Sequence, residues 1–304
     1  MPEVTVRDAH RSDATAIGTI WARAVPYLVR SRARAAADQR RDGALGRHRW
    51  VGLVDGEVAG IATSRPIGEQ GRSIFVTVEV HPDRGSRGVG RALLEQAVTA
   101  FPRAAAMQSV GNGDPVSVSF AVRHGFVPDG ERIVAVISPR SAPPAGPEPP
   151  GLRAVPLEAM RNLRMLLETH NLAVSDDPSG QTWHYTMQQL RADWWDSPDN
   201  APELSWGLLA DDPGGPVLAA FTSVQVDPAG HRSWSSMTAT HPAYRGRGLA
   251  GWVKRRTLNA LAQAHVAEAW SAYDSANLPM LALNEKLGYE PVTTSLRLSR
   301  RLHF

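Results

Sequence analysis

The 304-residue chain contains no cysteine and no long apolar run, and each absence excludes a class of function. Without cysteine there are no disulfides, thiolate metal sites or cysteine nucleophiles. No apolar stretch approaches the roughly 20 residues that a membrane-spanning helix needs. The N-terminal Met-Pro-Glu-Val-Thr-Val-Arg lacks the basic and apolar regions of a secretion signal. We therefore expect a cytoplasmic protein with no membrane contact.

Metal-binding spacings and a large charge excess are also absent. The ten histidines include no His-Glu-x-x-His pattern, so no metal is expected. The chain has 33 basic and 30 acidic residues, and only two of the basic ones are lysines. This balance is not a nucleic-acid signature. Seven arginines still cluster early, and they either attract an anion such as RNA or acidic lipid, or form a solvated helix face. They are Arg30, Arg32, Arg34, Arg40, Arg41, Arg47 and Arg49.

The sequence does contain two copies of one module. His81-Pro82 and His241-Pro242 each precede a glycine loop, and the two copies lie 160 positions apart. The length and the 42% hydrophobic content suit two domains of about 150 residues each. Residues 139–151 contain six prolines and are expected to form a stiff linker. The predicted domains are therefore 1–138 and 152–304.

Both copies have the same predicted order of elements. A strand and two helices precede three strands, the glycine loop, a helix, a strand, a helix and a last strand. The three strands form a meander, and Asp55-Gly56 is a strong hairpin signal within the first one. The predicted class is α/β (α+β), with a mixed, mostly antiparallel sheet and helices on both faces of each module.

The second glycine loop, residues 245–250, reads Arg-Gly-Arg-Gly-Leu-Ala between a strand and a long helix. Small residues allow backbone N–H groups to converge there, with the positive end of the helix dipole behind them. This arrangement predicts a cradle for a pyrophosphate. A Rossmann site needs its glycines after the first strand, and a P-loop needs Gly-Lys-Ser/Thr; neither pattern is present.

This loop and a second motif that follows it in the chain resemble those of the GNAT superfamily of acyl-CoA-dependent N-acyltransferases. Its signature, Gln/Arg-x-x-Gly-x-Gly/Ala, is matched from Arg245 to Ala250, and its Asn followed by a helix ending in Leu-Gly-Phe/Tyr is matched from Asn277 to Tyr289. The resemblance covers nearly the whole chain, and the tandem plan is similar to that of the mycothiol synthases. It implies acetyl-CoA or another acyl-CoA as donor, and a small-molecule amine as acceptor.

The resemblance also implies where the donor binds. The edge of the strand before the loop is expected to pair with the pantetheine arm, and a backbone N–H there to polarise the thioester carbonyl while the amine attacks directly. The predicted donor-binding residues lie on this strand, in the loop and on the last helix. They are Thr238, Ala239, Thr240, Arg245, Gly246, Arg247, Gly248, Leu249, Ala250, Asn277 and Asn284.

The N-terminal copy departs from this signature, because Gly85 and Ser86 stand where Arg245 and Gly246 stand in the second copy. Its Gly-x-Gly survives, so it remains a possible second donor site. The residues concerned are Val80, Arg87, Gly88, Val89 and Gly90.

Proton transfer is the less defined part of the prediction. Family members often have a tyrosine that protonates the departing thiolate, but this chain has Ala121 and Asn284 at that position in its two copies. Asn284 either contacts the donor or is a structural amide. We take Thr238, Asn284 and Asp274 as the catalytic candidates, with Asp274 as a water-mediated base.

Two further expectations concern neighbouring side chains. Strict alternation puts Trp234, Ser236 and Thr238 on one face of their strand, and none of them is a carboxylate. In the first copy, Glu79 aligns with Ala239, and we expect it to form an ion pair.

The acceptor is expected to contact the segment between the first two helices of the second copy. This segment, residues 171–200, is rich in aspartate and tryptophan, which suits a cationic amine. The same pattern is compatible with a solvated loop whose tryptophans are core. The predicted acceptor-binding residues are Asp176, Asp177, Trp194 and Trp234.

Three functions remain open from sequence alone. The first is an N-acyltransferase, with the second copy catalytic and the first partly degenerate. The second uses a larger acyl-CoA or an aminoacyl-tRNA as donor, which is the one case that would bring in nucleic acid. The third is a non-catalytic acyl-CoA sensor. The chain is expected to act as a monomer or a homodimer.

Overall fold

A computed structural model describes residues 3–67, 72–160, 162–177, 184–227, 229 and 231–302. The chain folds into two units, each with its own packed interior. Unit 1 comprises Met1–Arg132 and Thr294–Phe304, and unit 2 comprises Ile133–Thr293. The last strand of the chain therefore contributes its end to unit 1. The domain boundaries expected from the proline-rich segment stay a prediction.

Unit 1 is built on a sheet with helices on both faces. Strands β1 to β4 form antiparallel neighbours, β4 and β5 are parallel, and the last strand, β12, pairs antiparallel with β5. The elements are β1 (Val4–Asp8), α1 (Ala14–Ala24), α2 (Arg32–Arg41), β2 (His48–Val54), β3 (Glu57–Ile67), β4 (Ser73–Val80), α3 (Val89–Thr99), β5 (Ala106–Asn112), α4 (Pro115–Arg123) and β12 (Glu290–Arg301). Strand β6 (Val127–Ile137) begins in unit 1 and ends in unit 2.

Unit 2 repeats this order from its first strand to its last helix. Strands β7 to β10 are antiparallel neighbours, and β10 and β11 are parallel. The elements are β7 (Leu152–Pro156), α5 (Leu163–Val174), α6 (Met187–Leu190) with a π-helical turn (Arg191–Trp195), β8 (Trp206–Asp212), β9 (Gly215–Asp227), β10 (Arg232–Thr240), α7 (Leu249–Gln263), β11 (Glu268–Asp274) and α8 (Leu278–Leu287). The predicted fold class is confirmed.

Local chemistry explains several of these boundaries. Asp55 and Gly56 both have positive φ, at 53° and 81°, which is the geometry of a type I′ hairpin turn. Helix α8 begins where the side chain of Asn277 accepts a hydrogen bond from the N–H of Met280, and it ends at Gly288, whose φ is 91°. These ends agree with the sequence prediction.

In unit 2 the sheet separates two apolar layers. Helix α5 packs on one face with Leu166, Phe221 and Ala239, all buried. Helix α7 packs on the opposite face, where Val253 belongs to one cluster and Leu258 to the next. The proline-rich segment lies on α7 as well, because the indole N–H of Trp252 donates to the Pro147 carbonyl at 2.8 Å.

Candidate active site

Strands β10 and β11 of unit 2 diverge soon after they begin. They pair over residues 232–234 and 268–270 only. From Ser235 to Thr240, β10 is paired with β9 on its other side alone. Within the described residues, the edge of β10 that faces β11 thus leaves backbone N–H and C=O groups open to a ligand. An extended ligand that carries amides can pair with such an edge.

A β-bulge lies in the middle of this open edge. The register of β10 against β9 shifts between Ser235 and Met237. Directly paired residues point to the same face, and the partners of Trp234 and Thr238 are Gln225 and Thr222.

Their positions relative to the two apolar layers follow from those partners. Phe221 belongs to the α5 layer and Val224 to the α7 layer. Alternation along β9 therefore puts Trp234 on the α5 face and Thr238 on the α7 face. The prediction that Trp234 and Thr238 share a face is wrong, because the extra residue of the bulge breaks the alternation. On its own face, the Oγ1 atom of Thr238 lies 3.1 Å from that of Thr222.

The glycine loop adopts the conformation that its sequence requires. Gly246 and Gly248 have φ of 76° and 72°, in the left-handed region that favours glycine. A Cβ atom at either position would meet nothing within 4 Å, so conformation and not space selects glycine here. Gly248 is the N-cap of α7, and the helix starts directly after it.

Helix α7 starts without a side-chain cap. Its N-cap is glycine and its first turn contains no acidic residue. The first N–H groups of an α-helix have no partner within the helix, and in five other helices a side chain accepts at least one of them. The capping residues of α2, α4, α5, α6 and α8 are Ser31, Asp114, Asn162, Thr186 and Asn277. At α7 no described side chain accepts them, and the positive end of the helix dipole there favours an anion.

The two arginines of the loop have different surroundings. The Arg245 guanidinium lies 2.8 Å from the carboxylate of Asp176, and both side chains are exposed. The Arg247 guanidinium lies over the ring of Tyr244, 5.1 Å from its centroid. Asp176, which we predicted to bind the acceptor, is therefore in contact with a residue that we predicted to bind the donor.

Two predicted site residues organise the turn between β11 and α8. Asp274 ends β11, and its carboxylate accepts a hydrogen bond from the N–H of Ala276 at 2.9 Å. Its backbone carbonyl accepts the N–H of Asn277 at 3.0 Å. Asn277 in turn caps α8. The roles of Asp274 and Asn277 toward a ligand stay predictions, and in the structure both residues shape the turn.

Asn284 is fully buried on α8, and neither polar atom of its amide has a hydrogen-bond partner among the described residues. Its backbone carbonyl accepts the N–H of Tyr289 at 3.0 Å. A buried amide without partners is costly unless something else supplies its hydrogen bonds. A bound polar ligand is one source of such hydrogen bonds, and contact of Asn284 with the donor stays a prediction.

Lys254 was missed by the sequence prediction. It lies on α7 with 2% of its surface exposed, and its ammonium is 4.8 Å from the centroid of the Tyr289 ring. Burial lowers the pKa of Lys254 to about 7, and the same burial raises the pKa of Tyr289. The signal was present, because this lysine occupies a position on the apolar face of its helix.

Two of the predicted acceptor residues lie in or near the α5 core. Trp194 is 5% exposed and stacks on Phe221, with ring centroids 5.6 Å apart. Its indole nitrogen is buried without a partner among the described residues. Trp234 is half-buried on β10, and Asp177 follows the end of α5, where its N–H donates to the Val174 carbonyl. Their binding of an acceptor stays a prediction.

The corresponding loop of unit 1 keeps the glycine geometry. Gly88 has φ of 84° and precedes α3, which also has no side-chain cap. Its basic residues are paired with acids of the β2–β3 hairpin: Arg87 lies 3.4 Å from Asp55, and Arg84 contacts Glu57. This pairing reduces the positive charge that the loop can offer an anion.

The early arginine cluster belongs largely to internal ion pairs. Four of its seven members contact carboxylates within unit 1, and the prediction that Glu79 forms an ion pair is confirmed. The pairs are Arg30–Glu79 at 2.9 Å, Arg34–Asp38 at 3.8 Å, Arg47–Asp42 at 3.5 Å, Arg49–Asp38 at 3.4 Å and Arg49–Asp42 at 2.9 Å. Most of the cluster is thus neither an open anion-binding face nor a solvated helix face.

Comparison with known proteins agrees with the family that the sequence motifs resemble. The sequence model of the Acetyltransferase (GNAT) family matches residues 15–126 and again 166–289. Mycothiol acetyltransferase from Nocardioides sp. (strain ATCC BAA-499 / JS614) is 25% identical over 226 residues, which are 70% of this chain and 76% of that protein.

Two solved structures share the fold over almost the full length of both chains. A tandem GNAT protein from the clavulanic acid biosynthesis pathway aligns with a TM-score of 0.72 at 19% identity, covering 98% of each chain. A GCN5-related N-acetyltransferase from Sphaerobacter thermophilus aligns with a TM-score of 0.68 at 18% identity, covering 99% of this chain and 97% of its own.

Fold and family match together define an acyltransferase. The chain belongs to the GNAT acetyltransferase family, and it is a tandem member, because the family model matches it twice. Among the described residues, no helix is both long and apolar enough to span a membrane.

Proposed function

We propose that the chain transfers an acetyl or other acyl group from acyl-CoA to the primary amine of a small molecule, and that unit 2 holds the reaction site. The observation that best supports this is the open edge of β10, residues 235–240, which leads through Gly248 into the uncapped start of α7. One continuous surface thus offers hydrogen bonds to amides and then donors to an anion.

The parts of an acyl-CoA match this surface in order. The N–H groups of Leu249 and Ala250, with Arg245 and Arg247, would hold the pyrophosphate. The open edge of β10 would pair with the pantetheine amides. The thioester supplies an activated carbonyl, and a backbone N–H of β10 would stabilise the charge that develops on its oxygen while a neutral amine attacks. No covalent enzyme intermediate is needed, which suits a chain without cysteine.

Amine-dependent release of free CoA thiol is the first expected result. With acetyl-CoA and a panel of primary amines, the thiol should appear faster than by hydrolysis alone, and a thiol reagent would report it. Longer acyl-CoAs assayed in parallel define the chain length. Thiol release that no amine accelerates would favour the acyl-CoA sensor, and tight tRNA binding in a gel shift at low salt would favour an aminoacyl-tRNA donor.

The Arg245–Asp176 pair gives a finer test of the loop. Because Asp176 offsets the charge of Arg245 beside the anion site, Asp176→Asn should tighten acyl-CoA binding about two- to fivefold, as expected for an exposed pair. Titration calorimetry at low and high salt would measure it, with Asp177→Asn as the neighbouring control. If the parent chain and Asp176→Asn bind acyl-CoA with equal affinity, Arg245 does not contribute to the donor site.

A further inference from the structure

Lys254 lies on α7, six residues after Gly248, the N-cap at which the proposed site meets the helix. It occupies the stripe of α7 that also contains Gly251 three residues before it and Leu258 four residues after it. A Cβ atom on Gly251 would lie 3.2 Å from Leu283 of α8, and Leu258 shares a buried cluster with Leu287 of α8. This stripe of α7 therefore faces α8, and Lys254 projects into the layer between the two helices.

Lys254 has polar companions in this buried layer. Asn284 is fully buried with both amide atoms unpartnered, and the hydroxyl of Thr257, one turn beyond Lys254, is buried without a partner among the described residues. Apolar side chains at these positions would avoid the cost of removing polar groups from water. Retaining three such groups on adjoining helices therefore calls for a role beyond packing.

Tyr289 links two of them. Its ring lies under the Lys254 ammonium, and its N–H donates to the backbone carbonyl of Asn284. Lys254 and Asn284 are thus arranged around one residue, although they come from different helices. Asn284 also stands where the family resemblance implies a proton donor, a role that an amide side chain cannot fill.

We propose that Lys254 donates the proton that the departing thiol requires, and that Asn284 orients the sulfur with its amide N–H. This inference rests on the proposed function. In the step, a bond forms between the acceptor nitrogen and the acyl carbon. The carbon–sulfur bond breaks with its electron pair on sulfur, and one ammonium proton of Lys254 moves to that sulfur. Water takes the proton that the acceptor nitrogen loses, and solvent reprotonates Lys254 after product release.

The electrostatic surroundings suit this role. The Tyr289 ring faces Lys254, Tyr273 lies close enough to raise the pKa of Tyr289, and Glu285 acts on Tyr273. No acidic group among the described residues offsets the burial that lowers the pKa of Lys254 to about 7. An ammonium with a pKa near the working pH gives up its proton readily. Its charged fraction falls as the pH rises through that value, so the rate should decline on the alkaline side.

The two lysines of the chain supply a matched pair of variants. Lys254→Met fills the same space without a proton and should lower the single-turnover rate by about 100-fold or more, the usual contribution of a general acid. It should also remove the alkaline decline. Lys254→Arg keeps the positive charge but cannot release a proton at these pH values, so it should remain slow. Lys286→Met changes an exposed lysine on α8 and should behave like the parent chain.

The protonation of Lys254 can be followed without any turnover. In protein labelled with ¹³C-lysine, only two side-chain signals are expected, and Lys286→Met leaves one. That signal should titrate near pH 7, far below an ordinary lysine. A signal that titrates above pH 10 would overturn the proposed acid.

The outcomes separate the two proposals. Lys254→Met or Lys254→Arg with the parent rate and pH profile would overturn the role of Lys254 and leave the proposed function standing. If Lys254→Arg is as fast as the parent chain, a positive charge is enough at this position and no proton transfer is needed. That result would also overturn the proposed role of Lys254. A parent chain that binds acyl-CoA but releases no thiol with any amine would overturn the proposed function, and this inference with it.

Discussion

Gly248→Glu is expected to abolish acyl-CoA binding, with an affinity loss of at least about 100-fold, or roughly 3 kcal/mol. The carboxylate would stand at the uncapped start of α7, where the N–H groups and the helix dipole otherwise attract an anion. It would satisfy those donors itself and repel a pyrophosphate. Titration calorimetry with acetyl-CoA would measure the loss.

Two controls isolate the charge and the location. Gly248→Gln imposes the same size and the same strain at φ of 72° without the charge, so it should retain much more affinity than the glutamate. Gly88→Glu places the same carboxylate in the loop of unit 1, where Arg87 and Arg84 already pair with acids. It should leave the tight site unchanged.

The pattern of results assigns the site. If Gly248→Gln loses as much affinity as Gly248→Glu, the loop conformation and not the anion site controls binding. If Gly88→Glu abolishes binding and Gly248→Glu does not, the tight donor site lies in unit 1. Native mass spectrometry counts the acyl-CoA molecules bound per chain. The count for the parent chain is the reference with which both variants are compared.

The architecture followed from the sequence because its signals are local and occur twice. Asp55-Gly56 specifies a hairpin because both residues adopt positive φ angles. Asn277 and Gly288 lie at the two ends of α8 and determine where that helix begins and stops. The loop from Arg245 to Ala250 was found for the same reason. Its glycines are required by backbone conformation, which sequence reports directly.

Features that depend on distant partners were not predicted. Nothing near Arg245 in the sequence indicates its contact with Asp176, and nothing near Ser235 indicates the bulge, since a bulge is defined by the strand opposite. Pairing of β12 with β5 joins residues far apart in the chain. Local patterns specify elements, whereas tertiary packing decides which side chains meet.

Lys254 falls between these two cases. The apolar period of α7 includes its position, so a lysine there conflicts with the local pattern. Such a conflict is a sequence signal for function. Its surroundings came only from the structure, which places the Tyr289 ring beside it and leaves the buried Asn284 amide of α8 without a partner among the described residues.

Arg49→Met is expected to destabilise unit 1 by about 3 kcal/mol. The Arg49 side chain is 4% exposed and contacts the carboxylates of Asp38 and Asp42, which are 10% and 11% exposed. Removing one partner of a buried ion pair leaves charge without compensation, at a typical cost of about 3–5 kcal/mol. We expect the lower end, because Arg34 and Arg47 also approach these acids. Urea unfolding would measure the loss.

The pH dependence of this loss tests its electrostatic origin. Burial raises the pKa of Asp42, and the Arg49 charge opposes that rise. Without Arg49 the carboxyl should take up a proton more readily, so the destabilisation should be largest at neutral pH and smaller in acid. Arg40→Met on the exposed side of α2 is the control and should change the stability by less than about 0.5 kcal/mol.

The same pair of variants decides what the arginine cluster is for. If the arginines of the cluster serve internal ion pairs, Arg49→Met should lower the stability and leave the acyl-CoA affinity at the parent value. Neither variant should then alter RNA binding. If Arg40→Met weakens the binding of an anionic donor and Arg49→Met leaves stability unchanged, the cluster is a binding surface. The tRNA-dependent reaction would then regain its support, because its only motivation in the sequence is this cluster.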